Sequence, residues 1–195
     1  RATELRDRRP APAAGRLKTL VAECLHLPER KKLLPPHFRV LRPAHLQGRT
    51  IARYMVETEL PARALLHKRM SDASRAYSLD VEKTVHLFLP HVSSAEDLVS
   101  DPLGLASEGR HPLYALDTRG MGDFMPEEER RNFTYPYGMD YMYHGYGLLF
   151  GESYLGRRVH DVLSTLDLLV SEGAGDIHLY GRGQGALLAL FAALF

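Results

Sequence analysis

The feature that most constrains the fold of this sequence is a glycine-rich turn between a short strand pattern and an apolar helix pattern. Residues 177–187 read Ile-His-Leu-Tyr-Gly-Arg-Gly-Gln-Gly-Ala-Leu. The run Ile177–Tyr180 is typical of a strand, and the segment Gln184–Phe195 is typical of a buried helix. So sharp a change of direction leaves no room for a Cβ at its flanks, and Gly181 and Gly185 meet that requirement. A strand that enters a helix in this way indicates the α/β class.

Strand and helix patterns alternate along most of the chain. Thr84–Leu89 is a continuous apolar run, as in a buried strand, and Glu152–Glu172 carries apolar residues at helical spacing. The patterns together predict strands at residues 51–60, 62–68, 84–89, 112–116 and 177–180, and helices at residues 16–27, from 93, at 152–172 and at 184–195. The first two strands resemble an entry hairpin with Leu60-Pro61 near its turn, whereas the alternation that follows favours parallel βαβ units. We therefore predict a mostly parallel central sheet with helices on both faces, and functional groups in the loops after Leu89, Leu116 and Tyr180.

The N-terminal part differs from the rest in charge. Residues 1–50 contain 12 Lys and Arg against 4 Asp and Glu, although the whole chain has a formal net charge of only +1. A basic segment can bind nucleic acid, but here Pro, Ala and Leu interrupt the basic residues and no aromatic residues lie among them. We divide the chain into residues 1–49, a basic tail, a helix and a Pro-rich linker, and residues 50–195, the α/β domain. We expect no nucleic-acid partner.

A second motif follows the strand predicted at 112–116. Leu116–Asp123 reads Leu-Asp-Thr-Arg-Gly-Met-Gly-Asp, and here the chain resembles the α/β-hydrolase family, many of whose members carry Asp-x-Arg-Gly-x-Gly at this point. The stretch Gly151–Asp161 resembles the helix before the elbow in the acetyl-xylan-esterase and prolyl-oligopeptidase-like branch. The glycine-rich turn resembles the nucleophile elbow, G-x-S-x-G. Because the motifs also agree in order, the resemblance implies a partial α/β-hydrolase domain at 50–195.

The resemblance implies a serine at the centre of the elbow, where this chain has Gly183. Glycine has no side chain and cannot attack a carbonyl carbon. The family's oxyanion hole uses main-chain N–H groups, which implies the N–H of Gln184 and a second donor after Leu89, near His91 and Val92. Neither donor depends on the serine. The resemblance implies hydrolysis of esters, including those on acetylated saccharides, but we expect this chain not to be catalytically competent.

The resemblance also implies an Asp or Glu and then a His, both after the elbow. The sequence ends at Phe195, ten residues after Gly185, so we expect neither these partners nor the later strands of the sheet within it. The predicted helix Gln184–Phe195 is apolar nearly all round, a pattern that requires burial on most sides. We therefore expect self-association through an exposed apolar patch on this C-terminal helix.

The charged residues of the two upstream motifs allow a catalytic and a structural interpretation. Four residues carry the second motif, namely Asp117, Arg119, Gly120 and Gly122. We favour a structural role, in which the segment ties its loop to the sheet through a charge-assisted pair. On the helix predicted at 152–172, the spacing of Arg157, Arg158 and Asp161 favours ion pairs on the helix surface.

The remaining candidate ligand groups are aromatic and imidazole side chains. A loop rich in Gly, Met, Tyr and Phe is predicted at roughly 120–150, and its rings either form a saccharide-binding platform or pack on one another. These residues are Tyr135, Tyr137, Tyr141, Tyr143, His144 and Tyr146. The histidines have no metal-ligand spacing with Cys or carboxylates, and no run approaches the ~18 apolar residues of a membrane span. We predict no metal, no cofactor and no membrane span, with an ester or saccharide as ligand; the compartment stays open.

Two other functions fit the same glycine-rich turn. Gly181-x-Gly183-x-x-Ala186 satisfies the dinucleotide fingerprint G-x-G-x-x-G/A between a strand and a helix, and the helix N-terminus would then hold a pyrophosphate. That fingerprint also requires an acidic residue about 20 residues further on, a position after Phe195. Alternatively, the turn belongs to a non-catalytic binding or scaffold module, whose N–H groups hold an anion or an acyl group.

Overall fold

The structure is a computed structural model that describes residues 13–28, 36–70, 76–105, 109, 113–125 and 140–195. In this part of the chain the strands are β1 (Phe38–Leu46), β2 (Arg49–Glu57), β3 (Arg63–Met70), β4 (Thr84–Leu89), β5 (Leu113–Asp117) and β6 (Asp176–Gly181). The α-helices are α1 (Ala14–Cys24), α2 (Ser94–Ser100), α3 (Tyr141–Leu149), α4 (Tyr154–Ser171) and α5 (Gln184–Ala192). The α/β class predicted from the sequence is confirmed.

All these strands form a single mixed sheet in the order β1-β2-β3-β5-β4-β6. The pairs β1–β2, β2–β3 and β3–β5 are antiparallel, whereas β4–β5 and β4–β6 are parallel. The prediction of a mostly parallel sheet is therefore wrong. Only short connections, residues 47–48 and 58–62, join the first three strands, and connections of that length can join antiparallel strands but not parallel ones. The alternation of strand and helix begins only at β4.

Three elements lie where sequence analysis predicted no regular structure. Residues 38–46 form β1, an edge strand whose register shifts between Leu41 and Ala44. Pro43 lies at this irregularity, one of the few places where a sheet accepts a residue without an N–H. The loop predicted at 120–150 contains a 3₁₀ turn at Gly122–Phe124 and the helix α3, which has no buried residue. Glycines within α3 weaken the helical pattern, which explains why it was missed.

The apolar residues of the sheet divide between its two faces. One face packs against α4 and α5, and the other packs against α2. In β4 the division follows the alternation of an extended strand, because Val85, Leu87 and Leu89 belong to the core under α4 and α5, whereas Phe88 packs with Leu98 of α2. The sheet is thus covered by helices on both sides along its parallel strands.

The parallel strands β4, β5 and β6 bring their carboxyl ends to one edge of the sheet. The N–H of Arg182, just after β6, donates to the carbonyl of Leu89 at the end of β4, with an N···O distance of 3.1 Å. The N–H of Gly122, after β5, donates to the carbonyl of Val92, after β4, at 2.8 Å. The loops that follow all three strands therefore meet, and the candidate site lies among them.

Candidate functional site

The centre of the site is the turn between β6 and α5. β6 ends at Gly181, and α5 begins at Gln184 with Gly183 as its N-cap residue. Gly183 has φ 55° and ψ −119°, a backbone conformation that residues with a side chain adopt only under strain. The structure therefore places the strand-to-helix turn at the residues that the glycine spacing indicates.

The two outer glycines of the turn are required by close backbone packing. A Cβ added at Gly181 would lie 2.6 Å from the Cα of Ala186, in the first turn of α5. A Cβ added at Gly185 would lie 2.0 Å from the carbonyl oxygen of Leu89, at the end of β4. Real Cβ atoms essentially never come within 3.0 Å of such neighbours, so a side chain at either position displaces the main chain.

The imidazole of His91 lies directly over Gly183. A Cβ added at Gly183 would lie 2.4 Å from His91 Nδ1, and the N–H of Gln184 donates to the same nitrogen at 3.2 Å. The N–H that the resemblance implied as an oxyanion donor thus already has an acceptor. In the loop after β4, sequence analysis predicted main-chain donors near His91 and Val92 and missed the contact made by the imidazole of His91. The sequence offered one signal for that contact, which is that His91 lies just after β4.

A charged pair joins the two loops beside the turn. Arg182 Nη1 lies 3.5 Å from Asp97 Oδ1, which connects the turn to α2. Burial raises the pKa of Asp97 above its ordinary value, although the charge of Arg182 opposes this effect. The Arg182 side chain remains about half exposed, so this pair borders the solvent-facing side of the turn.

Asp117 ends β5 as a fully buried carboxylate. Its Oδ1 accepts a hydrogen bond from the N–H of Ser94 at 2.7 Å, and its Oδ2 lies 3.2 Å from His67 Nε2. A Cβ added at Gly122 would come within 1.9 Å of the same Oδ2, which explains why glycine occupies this position. Asp117 thus joins β5 to β3 and to the start of α2, in a place that solvent does not reach.

Arg119 binds two carboxylates with one guanidinium group. Its Nε and Nη2 donate to the two oxygens of Asp161 at 2.9 and 2.6 Å, and its Nη1 donates to Glu59 at 2.6 Å. Burial lowers the pKa of Arg119, but the bonds and charges of Asp161 and Glu59 outweigh burial and raise it. Burial likewise raises the pKa of Glu59, yet Arg119 brings the net value below its ordinary range. The segment after β5 is therefore held by α4 and by the β2–β3 turn.

Arg158 and Asp161 are buried, so the prediction of ion pairs on the helix surface is wrong for both. Arg158 donates to the side chain of Gln184 at 3.0 Å, to that of Asp140 at 2.8 Å and to the carbonyl of Arg119 at 2.9 Å. One guanidinium group thus links α4 to the segment after β5, to the start of α3 and to the start of α5. The helical spacing does not reveal that other elements cover this face.

The aromatic residues predicted as ligand groups lie on α3 or outside the described residues. Tyr141, Tyr143 and Tyr146 are exposed along α3, whereas Tyr135 and Tyr137 lie outside the described residues. Within the described ranges, no three side chains of His, Cys, Asp or Glu come together as a metal ion would need. The described helices also include none with the length and apolar composition to cross a membrane.

Solved structures of three esterases are similar to this chain. An acetyl xylan esterase assigned in Bacteroides fragilis matches with a TM-score of 0.61 and 15% identity, over 93% of this chain and 49% of that chain. An acetyl xylan esterase from a Paenibacillus species matches with a TM-score of 0.53 and 18% identity, over 99% of this chain and 60% of that chain. Acetyl xylan esterase 1 from a Thermoanaerobacterium species matches with a TM-score of 0.50 and 15% identity, over 94% of this chain and 55% of that chain. This chain therefore spans about half of the lengths of these proteins.

The sequence itself matches no protein-family model and no curated protein. At 15–18% identity, the similarity to the three structures shows a shared fold. It confirms, at the level of the fold, the resemblance that the motifs indicated. It does not favour the dinucleotide-binding alternative.

Proposed function

We propose that this chain is a catalytically silent relative of carbohydrate esterases, which binds an ester or an acetylated saccharide without hydrolysing it. The observation that carries the proposal is Gly183, which occupies the centre of the turn between β6 and α5 and offers no nucleophile. The similarity in fold to three acetyl xylan esterases supports acetylated xylan as the substrate class to test.

The chemistry of acyl transfer needs an activated nucleophile and donors aimed at the developing oxyanion. Residue 183 supplies no atom that forms a covalent acyl intermediate. The N–H of Gln184 already donates to His91, and the nearby carboxylate of Asp117 is buried and bonded to the protein. The groups around the turn thus supply neither a nucleophile nor an unoccupied N–H of Gln184 for cleavage of an ester bond.

Ester turnover tests the catalytic part of this proposal. We expect purified protein to release no acetate from acetylated xylan above buffer, and to hydrolyse p-nitrophenyl acetate only at the background rate of exposed imidazoles. His91→Ala and the matched control His45→Ala, an exposed histidine of β1, should both behave like the unchanged chain. Saturable release of acetate by the unchanged chain would overturn the proposal, and its loss in His91→Ala but not in His45→Ala would assign the activity to this turn.

Binding without cleavage tests the other part. Isothermal titration with acetylated xylo-oligosaccharide should give saturable binding, and mass spectrometry of the recovered ligand should find every acetyl group in place. Deacetylated xylo-oligosaccharide serves as the control ligand and should bind more weakly, because it lacks the ester carbonyl. Equal affinity for the two ligands, or no binding of either, would contradict ester recognition at this turn.

A further inference from the structure

We infer that Gly183 and His91 form a coupled pair, in which the imidazole fills the side-chain position of residue 183 and closes the N–H donor of Gln184. Absence of a nucleophile and closure of the turn are separate properties. The first follows from the residue at 183 alone, whereas the second follows from a side chain on the loop between β4 and α2.

The steric part of the coupling rests on three contacts. A Cβ at Gly183 would lie 2.4 Å from His91 Nδ1, 2.7 Å from its Cγ and 3.1 Å from its Cβ. Because the Cγ and Cβ of His91 are involved as well as the ring nitrogen, rotation of the ring about its own bond does not relieve the overlap. A side chain at 183 therefore requires the imidazole to swing about the Cα–Cβ bond of His91 and the His91 Cβ to give by a few tenths of an ångström.

The polar part of the coupling concerns the start of α5. The first N–H groups of a helix have no partner within it, and the N–H of Gln184 uses His91 Nδ1 instead. A nitrogen that accepts a hydrogen bond carries no proton, so the proton of the neutral ring lies on Nε2. A ligand carbonyl that approaches this N–H must first displace the imidazole.

Asp97 of α2 is a neighbour of both the loop that carries His91 and the turn that contains Gly183. Asp97 Oδ1 lies 3.5 Å from Arg182 Nη1, and the backbone of His91 opposes the rise that burial causes in the pKa of Asp97. Asp97 therefore lies between the loop that carries His91 and the turn that contains Gly183. The ring of His91 is itself exposed, so no core packing opposes its displacement from the turn.

This inference deepens the proposed function, since it adds a closed donor to an absent nucleophile. Its tests measure stability and amide exchange, whereas the function is tested by turnover and binding. Either can fail without the other.

A double-mutant cycle tests the steric coupling. Gly183→Ala should lower the Tm of the chain, and the loss should be smaller when His91→Ala is also present. Backbone strain at 183 cancels in this comparison, because both backgrounds contain it. Gly151→Ala is the matched control: φ is +69° and nothing lies within 4 Å of an added Cβ, so its Tm loss should be the same with and without the His91→Ala change. Equal Tm losses from Gly183→Ala in the two backgrounds would overturn the coupling.

Hydrogen exchange of single amides tests whether His91 holds the N–H of Gln184. This test needs only the variant His91→Ala. In His91→Ala the amide of Gln184 should exchange about fivefold faster, as expected for the loss of one hydrogen bond. The amide of Ala186, which donates to the carbonyl of Gly183 at 3.2 Å, serves as the internal control and should keep its rate. An unchanged rate at Gln184 would show that the imidazole does not hold this donor.

Discussion

Glycine serves three different purposes within the five residues 181–185. At Gly181 and Gly185 it admits fixed backbone atoms of α5 and β4, which cannot move without moving the elements themselves. At Gly183 it permits a positive φ and leaves space that an exposed ring occupies. Substitutions at these positions should therefore differ in their consequences, although they remove the same residue type.

Gly185→Ala should destabilise the chain by about 1–3 kcal/mol, the usual penalty of overpacking. The new Cβ would lie 2.0 Å from the carbonyl oxygen of Leu89, so β4 and α5 must separate. The matched control is Gly145→Ala, a helical glycine of α3 with nothing within 4 Å of an added Cβ. The control should gain about 0.5–1 kcal/mol from helix propensity. Urea unfolding followed by circular dichroism measures both, and equal stabilities would contradict the packing argument.

Among the elements, α4 is the helix on which the polar contacts of the site converge. It provides Asp161 for Arg119 and for Thr58, whose hydroxyl donates to Asp161 at 2.6 Å. It also provides Arg158, which reaches the starts of α3 and α5. The apolar face of the same helix packs on the sheet. α4 thus sets the relative positions of the loops around the turn.

Asp161→Asn tests how strongly α4 holds the segment after β5. The change removes the charge that faces Arg119 in a buried site, and breaking a buried pair from one side costs about 3–5 kcal/mol. Asp167→Asn on the exposed face of α4 is the matched control. It should change stability by less than about 0.5 kcal/mol, because contacts of exposed charges contribute little. Unfolding in guanidinium chloride measures the change in the free energy of unfolding for both variants. Similar changes in the two variants would mean that the buried pair contributes little.

For the molecule as a whole, large apolar side chains of the described residues are exposed on α5, beside the edge strand β6. Within the described ranges β6 pairs only with β4 and stands at one edge of the sheet. Beside it, α5 exposes Leu187 at 50% and Leu190 at 64%. Leu148, Leu149 and Phe150, at the end of α3, are also exposed. Exposed apolar surface of this kind promotes association.

We expect the chain to self-associate in a concentration-dependent manner, with Leu190 in the contact. Leu190→Lys should shift elution in size-exclusion chromatography towards the monomer, because a charge cannot be buried unpaired in an apolar contact. Val170→Lys, at an exposed position of α4, is the matched control and should elute like the unchanged chain. A monomer at every concentration before any substitution would contradict this prediction.

Local patterns predicted the elements that carry strong local signals. β4 is a continuous apolar run, α4 has helical spacing over its length, and the turn after β6 is indicated by its glycines, so all three were found within two or three residues of their observed ends. The helix α3 and the edge strand β1 were missed, because glycine and proline interrupt their patterns. His91 over Gly183 and Arg158 at Gln184 were missed because each contact joins residues that are far apart in the chain.

The amino-acid sequence alone determined where the chain turns from strand to helix and that residue 183 offers no nucleophile, since both follow from residue types over a short segment. Tertiary structure alone decided the order of the strands in the sheet, the burial of Arg158 and Asp161, and the imidazole over Gly183. The physical reason is the distance along the chain over which each effect acts. Backbone preferences and periodicity act over a few neighbouring residues, whereas burial and hydrogen-bond partners depend on which distant segments the fold brings together.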